Sequence, residues 1–86
     1  MTEKVYPVEN WPAAHFVAEE LEARGVSITA YLRLIGMDEK RWMDLVNGQK
    51  SMLLSEVQRI AGSLNVQPEF IANLNLRYGQ WKRMQR

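Results

Sequence analysis

The chain has 86 residues, of which 47% are apolar and 24% charged, the composition of one small globular domain. Eleven basic and ten acidic residues give a net charge of +1, which excludes a histone-like polycation and an acidic nucleic-acid mimic. The sequence contains no cysteine and only one histidine, His15, so thiolate zinc sites, cysteine nucleophiles and histidine metal sites are excluded. No apolar run approaches the ~18 residues of a membrane span. No signal-peptide pattern opens the chain, and we expect a cytoplasmic protein with no membrane partner.

The beginning of the chain predicts an irregular arm followed by a helix. Residues 1–11 form the predicted arm, because Pro7 biases the residue before it away from helical backbone. The first helix is predicted to start at Pro12, since proline suits the first helical position, and to stop at Gly25. Its apolar face recurs at helical spacing and consists of Ala14, Val17, Ala18 and Leu21.

Two short helices are predicted next, separated by a tight turn. Ser27 can cap the first of them through its hydroxyl, the apolar stripe spans 28–35, and Gly36 ends it. Asp38 can cap the following helix, which we predict to run to about Asn47. Three residues of this helix face inward by their spacing: Trp42, Leu45 and Val46.

The second half of the chain predicts two further helices. The fourth is predicted over Leu54–Leu64, with Asn65 as a left-handed terminator. The fifth is predicted to begin at Pro68. Its apolar stripe consists of Phe70, Ile71, Leu74, Tyr78 and Trp81. No segment alternates as a strand would, so the predicted class is all-α, with five short helices around one core.

Basic residues are concentrated at the end of the sequence. Residues 77–86 contain four basic residues and no acidic one. They are Arg77, Lys82, Arg83 and Arg86. A cluster of this kind is either a solvated chain end or a phosphate-binding segment, and the sequence leaves both interpretations open.

Several phrases of the sequence, taken together, resemble one family. Two short helices joined at Gly36 are typical of a helix-turn-helix. The other phrases, in chain order, are Glu19–Ser27, Asn47–Lys50, Arg59–Ala61, Pro68–Phe70, Asn73–Leu74 and Arg77–Tyr78. In these residues the chain resembles the lambda-repressor-like, or XRE, helix-turn-helix proteins, and within them the HigA-type antitoxins. The resemblance implies a five-helix lambda-repressor-like domain over residues 12–76, after the arm of 1–11, with 77–86 as a basic extension of the last helix.

The resemblance also implies a function. Family members bind specific double-stranded DNA as homodimers and repress their own operon, and HigA-type members bind a partner toxin. No cofactor is implied. The residues expected to face base edges are Glu39, Lys40, Met43 and Asp44. The residues expected to hold phosphates are Lys40, Arg41, Asn47, Gln49 and Lys50.

The expected DNA-reading surface departs from the family pattern. Two of its residues, Glu39 and Asp44, are carboxylates that would lie beside phosphates. Ile28 stands where the family commonly has a glutamine that bonds to the DNA backbone, and Leu34 adds apolar surface near it. These departures support an alternative, a helix-turn-helix fold repurposed to bind protein, with weak or no DNA binding. The candidate partner-binding residues are Ile28, Leu34, Tyr78 and Trp81.

Nothing in the sequence favours catalysis. His15 and Glu19 have the spacing of an ordinary ion pair on a helix surface. The serines lack a second histidine for a nucleophile relay, and there is no glycine-rich phosphate loop. We therefore expect a binding protein rather than an enzyme.

Overall fold

The computed structural model describes residues 11–84. Its helices are α1 (Ala13–Arg24), α2 (Ile28–Ile35), α3 (Glu39–Val46), α4 (Leu54–Leu64) and α5 (Pro68–Met84). These residues contain no strand, so the all-α prediction is confirmed for this part of the chain. Residues 1–10 of the predicted arm and Arg86 of the basic tail lie outside the described residues. No helix between residues 11 and 84 combines the length and apolarity that crossing a membrane requires.

Left-handed residues end three of the helices, as their identities predict. Gly25 ends α1 with φ 71°, Gly36 ends α2 with φ 69°, and Asn65 ends α4 with φ 61°. In each case the backbone N–H of the terminal residue donates back to carbonyls of the last helical turn. The chain therefore changes direction at the places where the residue type makes left-handed backbone least costly.

Side-chain caps begin the two short helices. The Ser27 hydroxyl accepts a hydrogen bond from the backbone N–H of Ala30 at 3.1 Å, and the Asp38 carboxylate accepts one from that of Lys40 at 3.2 Å. The first helix begins one residue later than predicted. Pro12 has an extended backbone, with φ −56° and ψ 149°, and precedes the first turn of α1 instead of occupying it.

One apolar core joins all five helices. α1 packs against α3 and α5, α4 packs against α5, and α2 packs against α3 and α4. The short helices are anchored by side chains that are almost wholly buried, Leu32 in α2 and Trp42 in α3. The centre of the core is formed by Val17, Leu21, Leu45, Ile60, Leu64 and Ile71. Because two turns of helix are marginal alone, α2 and α3 depend on this packing for their stability.

Polar contacts fix α2 on α4. The Tyr31 hydroxyl lies 2.5 Å from the Ser63 hydroxyl, and burial raises the pKa of Tyr31. The guanidinium of Arg59 donates from Nη1 to the carbonyl of Ile35 at 2.7 Å, in the last turn of α2. These contacts hold the end of α2, and with it the turn that leads into α3.

Candidate nucleic-acid interface

α3 is anchored on one side and open to solvent on the other. Trp42 and Leu45 insert into the core. The residues expected to face base edges, Glu39, Lys40, Met43 and Asp44, recur at the spacing of one helix face. The first three are exposed and Asp44 is half-buried. These four side chains thus lie on the side of α3 away from Trp42 and Leu45, and their contact with base edges stays a prediction.

The outward face of α3 carries little net charge. Lys40 Nζ lies 3.2 Å from Asp44 Oδ1, one turn along the helix, in a solvent-exposed ion pair. Glu39 stands in the first turn, where a carboxylate complements the helix dipole. Met43 adds an apolar side chain that is about half exposed. With two carboxylates and one cation, this face has a net charge of −1 and by itself does not attract a polyanion such as a phosphate backbone.

Arg41 does not join the exposed face, contrary to its expected role as a phosphate ligand. Its Nε and Nη2 atoms donate to Oε2 and Oε1 of Glu56, each at 2.8 Å, and Nη2 also donates to the carbonyl of Ser51 at 2.9 Å. The guanidinium thus bridges α3, the α3–α4 loop (residues 47–53) and α4. We correct the assignment of Arg41 accordingly, from DNA contact to scaffold.

Glu56 is the centre of this bridge, and sequence reasoning missed it. The residue is only 8% exposed, and Oε1 also accepts the backbone N–H of Leu53 at 2.8 Å, which fixes the start of α4. The hydrogen bonds from Arg41 lower the pKa of Glu56, outweighing burial, which by itself raises it. The same pairing raises the pKa of Arg41. The only local signal was a glutamate at the third position of a helix, which is typical of an N-terminal cap.

α5 holds the α3–α4 loop from the other side. The Asn75 side chain accepts the backbone N–H of Met52 at 3.1 Å and donates to the carbonyl of the same residue at 3.4 Å. One turn later, Tyr78 packs against Gly48, which has φ 75°. One further turn on, the Lys82 ammonium donates to the Gly48 carbonyl. Three successive turns of α5 thus position the backbone of this loop.

The clamped loop presents the remaining expected phosphate ligands to solvent. Asn47, Gln49 and Lys50 are all exposed. The backbone N–H groups of Gln49 and Lys50 donate to the carbonyl of Asp44 at 2.8 and 3.3 Å, which ties the loop to the end of α3. The polar side chains therefore project from a backbone that is held at both ends.

The candidate partner-binding residues are placed unequally. Leu34 is 73% exposed, as expected, whereas Ile28 is half-buried and packs against the core, which corrects the expectation that it lies on the open surface. Tyr78 and Trp81 contact each other with ring centroids 5.6 Å apart, and both are half-buried. Two further exposed leucines, Leu53 and Leu54, lie at the start of α4.

The described part of the chain contains no cluster of residues that could bind a metal ion. Within residues 11–84 no group of three His, Asp or Glu side chains is arranged to hold an ion. His15 pairs with Glu19 at 3.2 Å and stacks on Trp11, so its surroundings are those of a helix-surface residue.

Comparison with known protein families, curated proteins and solved structures found no match to this chain.

Replacing Arg41 with Met should destabilise the protein, because the buried Glu56 carboxylate would keep only the N–H donor of Leu53. We expect the free energy of unfolding at pH 7 to fall by about 3 kcal/mol, as when one partner of a buried ion pair is removed. The matched variant Lys40→Met breaks an exposed pair on the same helix and should cost less than ~1 kcal/mol. Urea denaturation measures both, and equal losses would contradict the role assigned to Arg41.

The pairing of Arg41 with Glu56 should also be visible in the pH dependence of stability. The pKa of Glu56 is lowered in the folded state, so its stabilising charge is fully present above the ordinary carboxyl pKa of 4.5 and is lost as the pH falls through the folded value. Wild-type protein should therefore lose more stability on acidification below this pH than Arg41→Met does. If acidification lowers the free energy of unfolding of both proteins by the same amount, Glu56 is not paired with Arg41.

Replacing Gly48 with Ala should lower the free energy of unfolding more than replacing Gly25 with Ala, although both glycines have left-handed backbone. At Gly25 a Cβ meets nothing, so we expect only the conformational penalty of about 1–2 kcal/mol. At Gly48 a Cβ would collide with Tyr78, and the loss should be larger. In a Tyr78→Ala background the excess should disappear, which a double-mutant cycle of thermal unfolding measures. An excess that survives in that background would show that Tyr78 does not constrain the loop.

Proposed function

We propose that this chain is a sequence-specific DNA-binding transcriptional regulator with a lambda-repressor-like helix-turn-helix fold. In this proposal α2, the Gly36 turn and α3 form the helix-turn-helix, and α3 enters the major groove. The observation that carries the proposal is the continuity between the open face of α3 and the clamped α3–α4 loop. Together they offer side chains for base edges and, immediately beyond them, exposed polar groups for phosphates.

The residue types divide these tasks by their chemistry. Glu39 and Asp44 can accept a hydrogen bond from the N4 amino group of cytosine, and Met43 can contact a thymine methyl group. Lys50, with the amides of Asn47 and Gln49, suits the phosphates. Lys40 can leave Asp44 for a phosphate, because an exposed ion pair contributes at most about 1 kcal/mol.

The sequence resemblance extends the proposal to operon control. As a HigA-like antitoxin, the chain would bind its operator as a homodimer, repress its own operon and bind a cognate toxin. Exposed apolar side chains away from the outward face of α3 support a protein partner. Leu34 and Leu54 are the most exposed of these outside the last turn of α5.

Duplex DNA from immediately upstream of this gene tests the proposal by fluorescence anisotropy, against a scrambled duplex of equal length. We expect the upstream duplex to bind at least ~100-fold more tightly than the scrambled one. Lys50→Ala should weaken both duplexes by similar factors, because phosphate contacts carry no sequence information. Met43→Ala should weaken the upstream duplex selectively.

A matched control separates these effects from a change in net charge. Arg77→Ala removes one positive charge from an exposed residue of α5 that lies beside α1, near Glu19 and Phe70. This variant should retain wild-type affinity for the upstream duplex. Equal binding of wild-type protein to the upstream and scrambled duplexes would refute a sequence-specific regulator.

A second function, protein binding through a repurposed helix-turn-helix, is favoured by one observation. Leu34 at the end of α2 is 73% exposed, and Leu53 and Leu54 are 60% and 69% exposed at the start of α4. Under this proposal, the protein encoded by the neighbouring gene co-purifies with the wild-type chain. It should not co-purify with the Leu34→Asp variant. The control Leu76→Asp, at an exposed leucine of α5, should keep the complex. A complex that survives Leu34→Asp would rule out this surface.

A further inference from the structure

A cavity lies on the α5 side of the α3–α4 loop, opposite the Arg41–Glu56 bridge. It has a volume of about 330 Å³, is open to solvent, and is lined by the start of α1, the loop and the second half of α5. Among residues 11–84, three cationic side chains line it: Lys50, Lys82 and Arg83. No carboxylate of these described residues lines the cavity. We refer to it as the basic cavity.

The positive charge of the basic cavity is not balanced within the described residues. Among residues 11–84, no salt bridge involves Lys50, Lys82 or Arg83, whereas the cations Lys40 and Arg41 of α3 are both paired with carboxylates. Lys82 donates one N–H to the neutral carbonyl of Gly48, and no carboxylate of the described part of the chain forms a salt bridge with it. The arrangement brings three like charges to one concave surface, which an anion would stabilise.

The side chains in the cavity match a phosphate group. The planar guanidinium of Arg83 suits two phosphate oxygens at once, and an ammonium group serves as a point charge beside them. The remaining lining includes further hydrogen-bonding side chains, among them Gln49, Ser51 and Asn75. The cavity is polar and cationic and opens to solvent. It can therefore accept an anionic group of another molecule.

The position of the cavity indicates which molecule presents that group. Lys50 belongs both to the cavity and to the loop that directly follows α3, so a duplex lying along α3 and this loop reaches the rim of the cavity. The outward face of α3 lacks the net positive charge that binding to a polyanion requires. The cations of α5 supply it on the adjoining surface.

We propose that the basic cavity binds a backbone phosphate of the same duplex that α3 contacts. The last turns of α5 then extend the DNA contact beyond the helix-turn-helix. Lys82 orders the loop through Gly48 and adds its charge, and Arg83 contacts the phosphate directly. This inference rests on the proposed DNA-binding function.

The salt dependence of duplex binding tests the inference. Anisotropy titrations with the upstream and scrambled duplexes are made over a series of salt concentrations for wild type, Arg83→Ala, Lys82→Gln and Arg77→Ala. The loss of one phosphate contact should lower the slope of log K against log salt by about 0.9. We expect that decrease in Arg83→Ala, with both duplexes weakened alike, and wild-type behaviour in Arg77→Ala. Thermal unfolding checks that each variant is folded, and Arg83→Ala keeps the Lys82–Gly48 contact.

The possible outcomes separate the inference from the proposed function. Wild-type slopes in both Arg83→Ala and Lys82→Gln, with specific binding intact, would overturn the inference and leave the regulator standing. Failure of wild-type protein to bind either duplex would overturn both.

A separate experiment titrates inorganic phosphate into the protein at constant ionic strength and follows the amide resonances of Gln49 and Ser51. We expect no saturable binding of free phosphate. Saturation that Arg83→Ala abolishes, together with unchanged duplex binding, would assign the cavity to a free phosphorylated molecule and overturn the proposal.

Discussion

The buried carboxylate of Glu56 is the constraint on which the rest of the site depends. It accepts two N–H groups of Arg41 and the backbone N–H of Leu53, each at 2.8 Å. A carboxylate this buried is stable only when its charge is paired and hydrogen-bonded, and these three contacts satisfy that requirement. They join α3 to α4 and, through Ser51, set the path of the loop between them. The orientation of α3 relative to its loop is therefore determined by an ion pair within the protein.

This use of Arg41 explains the unusual charge distribution of the candidate interface. The outward face of α3 combines Lys40 with Glu39 and Asp44, so its net charge does not favour a polyanion. Cations that form no salt bridge within residues 11–84 lie instead on the loop and on α5, where Lys82 and Arg83 adjoin Lys50. In the proposed DNA complex, α3 would discriminate between bases and the α5 side of the loop would supply affinity. Leu34 of α2 and Leu54 of α4 are also exposed, and in the proposed function they are available to a protein partner.

Local chemistry made much of the fold predictable. Gly25, Gly36 and Asn65 end helices because of their own backbone preferences, and the outward side of α3 follows from spacing alone. Contacts between distant residues were not predictable in this way. Arg41 and Glu56 are 15 positions apart, and Lys82 and Gly48 are 34 apart, so no periodicity reveals them. Ile28 was expected on the surface because the family resemblance places it where a glutamine commonly bonds to DNA, whereas its packing depends on the neighbouring helices.

Chemical-shift mapping of the ¹⁵N-labelled protein with its upstream duplex tests the central claim most directly, since it reports which surface meets DNA. We expect shift changes along the outward face of α3, at Gln49 and Lys50, and in the last turn of α5 at Arg83. Leu34 and Leu54 should remain unperturbed. Shift changes confined to those leucines would contradict DNA binding through α3. So would unchanged resonances in α3 and the α3–α4 loop at a saturating concentration of duplex.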